Sequence, residues 1–316
     1  THAAGVVISR EPLINLVPLQ RATGGELVVQ YLMNALENVG LLKMDFLGLS
    51  TLTVIGRALE EVARTTGERL MAEDISLDDP AIYELLCRGD TFGIFQLEGD
   101  STRRMTIDVK PTCFDDVVAL MALIRPGPMN MAPLFIQRKS GLTPIEYLHP
   151  DLEPILKDTY GIMLYQEQIM QIANVLAGYT MAEADVLRKA MGKKLADEMS
   201  RQRERFVEGA TERGVPSAVS EELFDLMERF GGYGFNRSHA AAYAVIACQT
   251  AYLKEKYPVA YMSALLTSEM GNPDKVAAAV AECRRMGIPV RPPDVNRSLA
   301  CFSVEGDPEG VGIRFA

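Results

Sequence analysis

The sequence predicts an α+β chain that is predominantly α-helical, with a small sheet remnant at its start, a large helical body and short terminal strands. Three observations carry this expectation. Apolar residues recur at helical spacing through seven segments between Gln166 and Met286. The first 50 residues instead hold short runs of strand length, AAGVVIS, VPLQ and GLLKMDF. After Gly287 the chain reads IPVRPPDVNRS, CFSVEG and GIRFA, which is extended again.

Length and charge bound the class. A chain of 316 residues suits two domains, and 48% hydrophobic content can bury a core. A formal net charge of -10 argues against a nonspecific coat for nucleic acid or membrane, so any polyanion site must be a local stripe. Five scattered cysteines without a CxxC pair, and only three histidines, argue against zinc and suit a reducing cytoplasm. No apolar run approaches a membrane span, and the start lacks a signal-peptide layout. The chain opens without Met on strand-like THAAGVVIS and stops on strand-like GIRFA, which reads as an excised fragment.

Taken in order, AAGVVIS and VPLQ predict strands, and the segment from Leu27 to Asn38 predicts a helix. In GLLKMDFLGLS, strand alternation puts Leu42, Met44 and Phe46 on one face and Lys43 and Asp45 on the other. That pair has two readings: an ion pair on a half-exposed sheet face, or a metal-binding Asp beside a phosphate-neutralising Lys. A helix is expected from Ser50 to Thr66, capped by Ser50 or Thr51, and a short helix in DDPAIYELLCRGD. TFGIFQLEGDSTRRM reads as a strand turning into basic residues, and DDVVALMALIRPGPM as a helix broken by Pro126 and Pro128. Arg125, held before that rigid turn, can position a phosphate or satisfy carbonyls at the helix end. Gln137 to Pro154 reads as a surface connection. Helices follow in Gln166 to Leu176, Ala182 to Met191, Ala196 to Ala210, Ala218 to Phe230, Ser238 to Lys256, Val259 to Met270 and Pro273 to Met286, punctuated by glycines that include Gly192 and Gly231.

Two clusters carry the chemistry. From Arg188 to Arg205 there are seven basic residues (Arg188, Lys189, Lys193, Lys194, Arg201, Arg203, Arg205) against three acidic ones. Local ion pairs along a solvated helix are one reading; the surplus of charge favours an anionic partner. In GGYGFNRSHAAAY, glycines give a pliable loop, Ser238 suits an N-cap, and the helix start offers free N–H groups to a phosphate. His239 and Tyr243, four apart, share a face. With Asn236 and Arg237 they make a candidate nucleotide pocket.

The motifs GLLKMDFLGLSTL, TFGIFQLEG, ALIRPGPM, YGIMLYQEQIMQIANVLAGYT, EADVLRKAMGKK and GYGFNRSHAAAYAVIACQTAYLK together resemble, in order and over nearly the whole chain, the catalytic alpha subunits of bacterial DNA polymerase III, the C-family replicative polymerases. The resemblance implies that residues 1–50 are the C-terminal part of a palm and residues 51–316 a fingers domain, with 287–316 a truncated extended segment. It implies that Asp45, in KMDF, is one of three carboxylates that hold two Mg²⁺ ions. The family's Pro-Asp-x-Asp-x-Asp-Phe motif is not in this sequence. Arg188 and Lys189 match the basic pair expected to hold the triphosphate, Lys193 and Lys194 assist, and NRSHAAAY resembles the wall beside the nascent base pair. Arg237 stands where Lys is more usual, and Ile124 precedes RPGP where Leu or Tyr is. The implied partners are dNTP, primer–template DNA and, in the complete enzyme, the sliding clamp, a proofreading exonuclease subunit and a clamp-loader subunit. Asp45 with Lys43 and the basic residues of 188–194 are expected to face one cleft. The competing reading is a helical DNA- or protein-binding scaffold without catalysis, whose affinity would ignore dNTP.

Overall fold

The computed structural model describes residues 4–22, 24–125, 127–193, 196–231, 233–307 and 310–316. The chain divides into two compact units, Thr1–Ser50 and Thr51–Ala316. The first holds β1 (Gly5–Ile8), β2 (Leu19–Arg21), β3 (Leu27–Val29), α1 (Met33–Asn38) and β4 (Leu42–Asp45). β1 pairs antiparallel with β4, placing Val6 opposite Met44 and Val7 opposite Lys43. β2 pairs antiparallel with β3. Val17, Leu36 and Leu41 form its small core. The helix expected from Leu27 begins only at Met33, because Leu27–Val29 supplies backbone partners to β2.

The second unit is helical: α2 (Ser50–Thr66), α3 (Pro80–Arg88), α4 (Asp100–Val109), α5 (Phe114–Leu123), α6 (Ala132–Lys139), α7 (Glu153–Leu156), α8 (Gln166–Ala177), α9 (Met181–Lys193), α10 (Ala196–Glu212), α11 (Ser217–Gly231), α12 (Arg237–Lys256), α13 (Pro258–Ser268) and α14 (Pro273–Arg285). A final sheet joins β5 (Val290–Arg291), β6 (Ser303–Asp307) and β7 (Gly310–Arg314) in the order β5-β7-β6, with β5 parallel to β7. The expected class, α+β and predominantly helical, is the one observed.

α12 organises this unit. Its Ala240, Ala244, Ala247 and Ala251 are fully buried at four- and three-residue spacing, and such small side chains let the backbone of α5 approach closely. Val117, Leu120 and Leu123 of α5 share that core. A second core, around Ile172, Leu187, Phe206 and Phe224, joins α8 to α11. A third joins α2, α13 and α14 to the final sheet through Ile55, Tyr261, Cys283 and Ile313. Each fully buried Leu, Ile or Phe contributes about 1.5–3 kcal/mol by leaving water, so the cores fix the helix ends that carry the polar residues described below.

Four local expectations are corrected. TFGIFQLEG is not a strand: Ile94 N–H donates to Thr91 and Leu97 N–H to Ile94 in successive turns, with positive φ at Gly93 and Gln96, and α4 takes up STRRM. Asn236 rather than Ser238 caps α12, its side-chain oxygen accepting from the His239 N–H at 2.8 Å. Gly192 lies within α9 rather than after it, because Met191 and Lys193 on either side are helical and outweigh the roughly 1 kcal/mol that glycine costs, whereas Gly231 closes α11 as expected. The expected connection from Gln137 starts inside α6. Of the two prolines expected to break α5, Pro128 opens a short 3-10 turn and Pro126 lies outside the described residues.

Candidate functional site

In the first unit, Lys43 and Asp45 stand on one face of β4 and form an ion pair with each other. Their side chains are 20% and 40% exposed. Leu42, Met44 and Phe46, on the opposite face, are all exposed. A carboxylate so placed is chemically fit to be one ligand of Mg²⁺, which takes carboxylates and waters. Among the described residues, no three His, Cys, Asp or Glu side chains gather into a group that could hold a metal.

In the helical unit the site grows from the N-terminus of α8. Tyr165 and Phe235 form a parallel backbone bridge, with the Phe235 N–H donating to the Leu164 carbonyl at 3.0 Å and the Gln166 N–H to the Phe235 carbonyl at 2.9 Å. This joins the loop before α12 to the start of α8. The Gln166 side chain then works in two directions: its Nε2 donates to the Gly234 carbonyl at 3.0 Å, and its Oε1 accepts from Arg188 Nη1 at 3.1 Å. Arg188 is thereby tied to the loop 46 positions further along the chain. Glu167, next in α8, accepts the Arg237 N–H on its carboxylate at 3.0 Å, so the first turn of α12 already has an anion seated on it.

Among the described residues, the cations from Arg188 to Arg205 are not unpartnered. Arg188 and Lys189 share Asp185 at 2.8 and 2.7 Å, Arg201 pairs with Glu198, Arg203 with Asp225 and Glu228, and Arg205 with Glu183. For these five cations this corrects the expected surplus, since a count along Arg188 to Arg205 omits acids one turn earlier in α9 and others on α11. The hydrogen bonds of Lys189 and then Arg188 hold the Asp185 carboxyl below its ordinary range. Those of Arg205 and Thr180 hold Glu183 at about 2. Lys194 and the side chain of Lys193 lie outside the described residues.

A row of flat groups runs beside these cations. The Arg125 guanidinium lies 3.9 Å from the centre of the Phe235 ring. Phe235 meets His239 edge-on at 5.2 Å, His239 meets Tyr243 at 4.2 Å, and Tyr243 meets Phe95 at 5.1 Å. Phe235, His239 and Tyr243 fall four apart, on one helical face carried one step before α12. Arg125 also donates to the Ala122 and Tyr233 carbonyls, the bonding expected of an Arg at a helix end, and burial lowers its pKa. Arg237 leaves the row, pairing with Asp115 at 3.1 Å and lying 3.9 Å from Asp158. Asn236, Arg237, Ser238 and His239 are exposed and Tyr243 is half-buried.

Arg188, Arg125, Asn236, His239 and Tyr243 are thus drawn together about one loop, and Lys189 sits beside Arg188. The sequence reading missed Phe235, Phe95, Gln166 and Glu167. Phe235 was recoverable by extending the four-residue spacing of His239 and Tyr243 back one step. Gln166 and Glu167 carried no local sign, because their partners lie far along the chain.

Comparison with known proteins is consistent with this arrangement. The family model described as the bacterial DNA polymerase III alpha subunit finger domain matches residues 51–214, and that of the bacterial DNA polymerase III alpha NTPase domain matches residues 1–48. The chain is 52% identical to DNA polymerase III subunit alpha of Thermus aquaticus over 311 residues, which is 97% of this chain and 26% of that protein. It is 50% identical to that of Deinococcus radiodurans over 97% of this chain and 24% of that protein, and 48% identical to that of Bacillus subtilis over 99% and 28%. The chain therefore spans about a quarter of the length of these relatives. With more than half its residues matched by the finger-domain model, it belongs to the family of bacterial DNA polymerase III alpha subunits.

Proposed function

We propose that the chain is the nucleotide-gripping part of a DNA-directed DNA polymerase, which in the complete protein adds dNTPs to a primer 3′-hydroxyl. The supporting observation is the tie from Arg188 through Gln166 to the loop that begins the Arg125, Phe235, His239, Tyr243 row. Cations suited to a triphosphate and flat rings suited to a base pair share one frame.

On this reading Arg188 and Lys189 exchange their shared partner Asp185 for the triphosphate, with Lys193 and Lys194 assisting. The exchange is favourable because an exposed ion pair is worth only about 0–1 kcal/mol, whereas a polyanion brings several charges to cations already in place. Asn236, Ser238, His239 and Tyr243 stand along the nascent base pair, and Arg237 and Arg125 hold the frame. Asp45 supplies one of three carboxylates for two Mg²⁺ ions, and Lys43 neutralises phosphate charge beside it. When bound, such ions lower the pKa of the attacking hydroxyl and stabilise the leaving pyrophosphate. The resemblance extends the proposal to primer–template DNA, the sliding clamp, an exonuclease subunit and a clamp-loader subunit as partners of the complete enzyme, in the bacterial cytoplasm.

The deciding experiment replaces Asp45 in the complete protein. Asp45→Asn is expected to abolish primer extension while primer–template binding persists, because metal ligation and phosphate contacts to DNA are separate tasks. Extension at a near wild-type rate removes Asp45 from the metal site.

A further inference from the structure

Behind the loop before α12 lies a cavity of about 310 Å³. Met131, Met163, Leu164, Leu226, Phe230 and Tyr233 supply most of its wall. Arg229 also lines it, and its exposed side chain has no acidic partner among the described residues. The same wall carries the backbone that holds the row and the cations. The Tyr233 carbonyl accepts from Arg125 at 3.2 Å, the Gly234 carbonyl accepts from Gln166, which holds Arg188, and the Leu164 carbonyl accepts from Phe235.

We propose that this cavity is a binding site for a small aromatic carboxylate, separate from the nucleotide site, and that its occupancy sets the position of the loop. The wall specifies the ligand. Two aromatic side chains and two thioethers favour a flat ring, since rings stack or meet edge-on and methionine sulfur packs well against ring edges. The volume stands at the lower end of the roughly 300–1,000 Å³ of ligand pockets, which admits one or two rings. Arg229 selects an anion, because a guanidinium binds a carboxylate through paired N–H groups. A ligand seated here presses on Tyr233, and Tyr233 moves with the carbonyl that restrains Arg125.

The probe is 2-naphthoate, titrated calorimetrically into the complete protein. One saturable site is expected, weakened roughly tenfold in Arg229→Glu and for the neutral probe naphthalene-2-carboxamide, and lost in Leu226→Trp, which fills the cavity. Arg229 is exposed, so Arg229→Glu retains the fold, checked by an unchanged melting temperature, and keeps the test decisive if Leu226→Trp does not fold. Absence of saturable binding, or equal binding to wild type and Arg229→Glu, overturns the proposal. Added dNTP is expected to shift naphthoate affinity to a plateau, as two coupled sites require. Displacement that grows without limit would put the ligand in the nucleotide site and also overturn it. The titrations with the variants do not depend on dNTP use, so they judge the cavity even where the polymerase reading fails.

Discussion

Lys254 and Arg188 each sit within a network of ion pairs, and the two networks differ in their access to water. Lys254, 1% exposed, spends its three N–H groups on the Asp90 carbonyl at 2.9 Å, the Phe92 carbonyl at 2.8 Å and Glu282 Oε1 at 2.7 Å. Arg285 completes the set by bonding Glu282 at 2.8 Å and Asp90 at 3.0 Å. Arg188 and Lys189 instead share one carboxylate at the surface of α9. Burial commits every donor of Lys254, because any loss strands a polar group in a poor solvent. Lys189, 59% exposed, and Arg188, 24% exposed, keep enough access to water for the second to trade partners. The same residue types therefore hold the fold in one place and remain available for a ligand in the other.

The sharpest break of this comparison is Lys254→Ala. Removing one member of a buried pair costs about 3–5 kcal/mol; Arg285 still serves Glu282, so the low end is expected, read as a lower urea midpoint. A loss under about 1 kcal/mol would mean that the buried network does not hold the helices. Arg188→Ala should do the reverse, changing stability by less than about 1 kcal/mol. In the complete enzyme it should lower turnover on the order of 10²- to 10³-fold, or about 2.7–4 kcal/mol, at unchanged DNA affinity. Normal dNTP kinetics with a weaker salt dependence of DNA binding would instead favour the scaffold reading.

Acid should separate the networks next. Burial works to raise the Glu282 carboxyl, but the hydrogen bonds of Arg285 and Lys254 win and hold it at about 2, below its ordinary 4.5. A depressed carboxyl contributes stability that is complete above the unfolded value and lost as pH falls from about 4.5 towards 2, here on the order of 2–3 kcal/mol. Lys254 and Arg285 keep their charges in that window, and Asp90, the other acid facing them, is common to both proteins when wild type is compared with Glu282→Gln. The wild type should lose the extra stability and the variant should not; parallel acid unfolding curves would contradict the assignment. The smallest effect is expected of Gln166→Ala, which removes the bond to the Gly234 carbonyl and the one to the charged Arg188; the latter, about 1.5 kcal/mol, corresponds to roughly a tenfold rise in the KM for dNTP with kcat little changed. Gln166→Glu, which keeps an acceptor for Arg188, should recover most of it. A kcat loss that both variants share would mark a structural role instead.

Much of the helical unit was legible because its order is periodic: α8 to α14 follow from apolar spacing, and α2 begins and ends where its sequence places it. GIFQL misled because a short apolar run of strand length also suits consecutive turns, where Ile94 and Leu97, three apart, are both buried. Leu27–Val29 misled because its partner strand, and not its own pattern, decides its conformation. At the site, single residues such as Arg188 and His239 were visible by type, whereas what fixes them was not. Gln166 reaches Gly234 across 68 positions and Arg237 reaches Asp115 across 122, and no local spacing encodes either contact.

One further consequence concerns the order in which this molecule can change over generations. Gly127 adopts φ of +99°, and a Cβ built there would stand 2.5 Å from the Tyr233 ring. A replacement at 127 alone therefore meets both a backbone conformation that suits glycine and a ring that must move aside. A smaller residue at 233 removes the second obstacle but not the first. A change at 233 thus lowers the cost of a later replacement at 127, so the history of one position bears on the other.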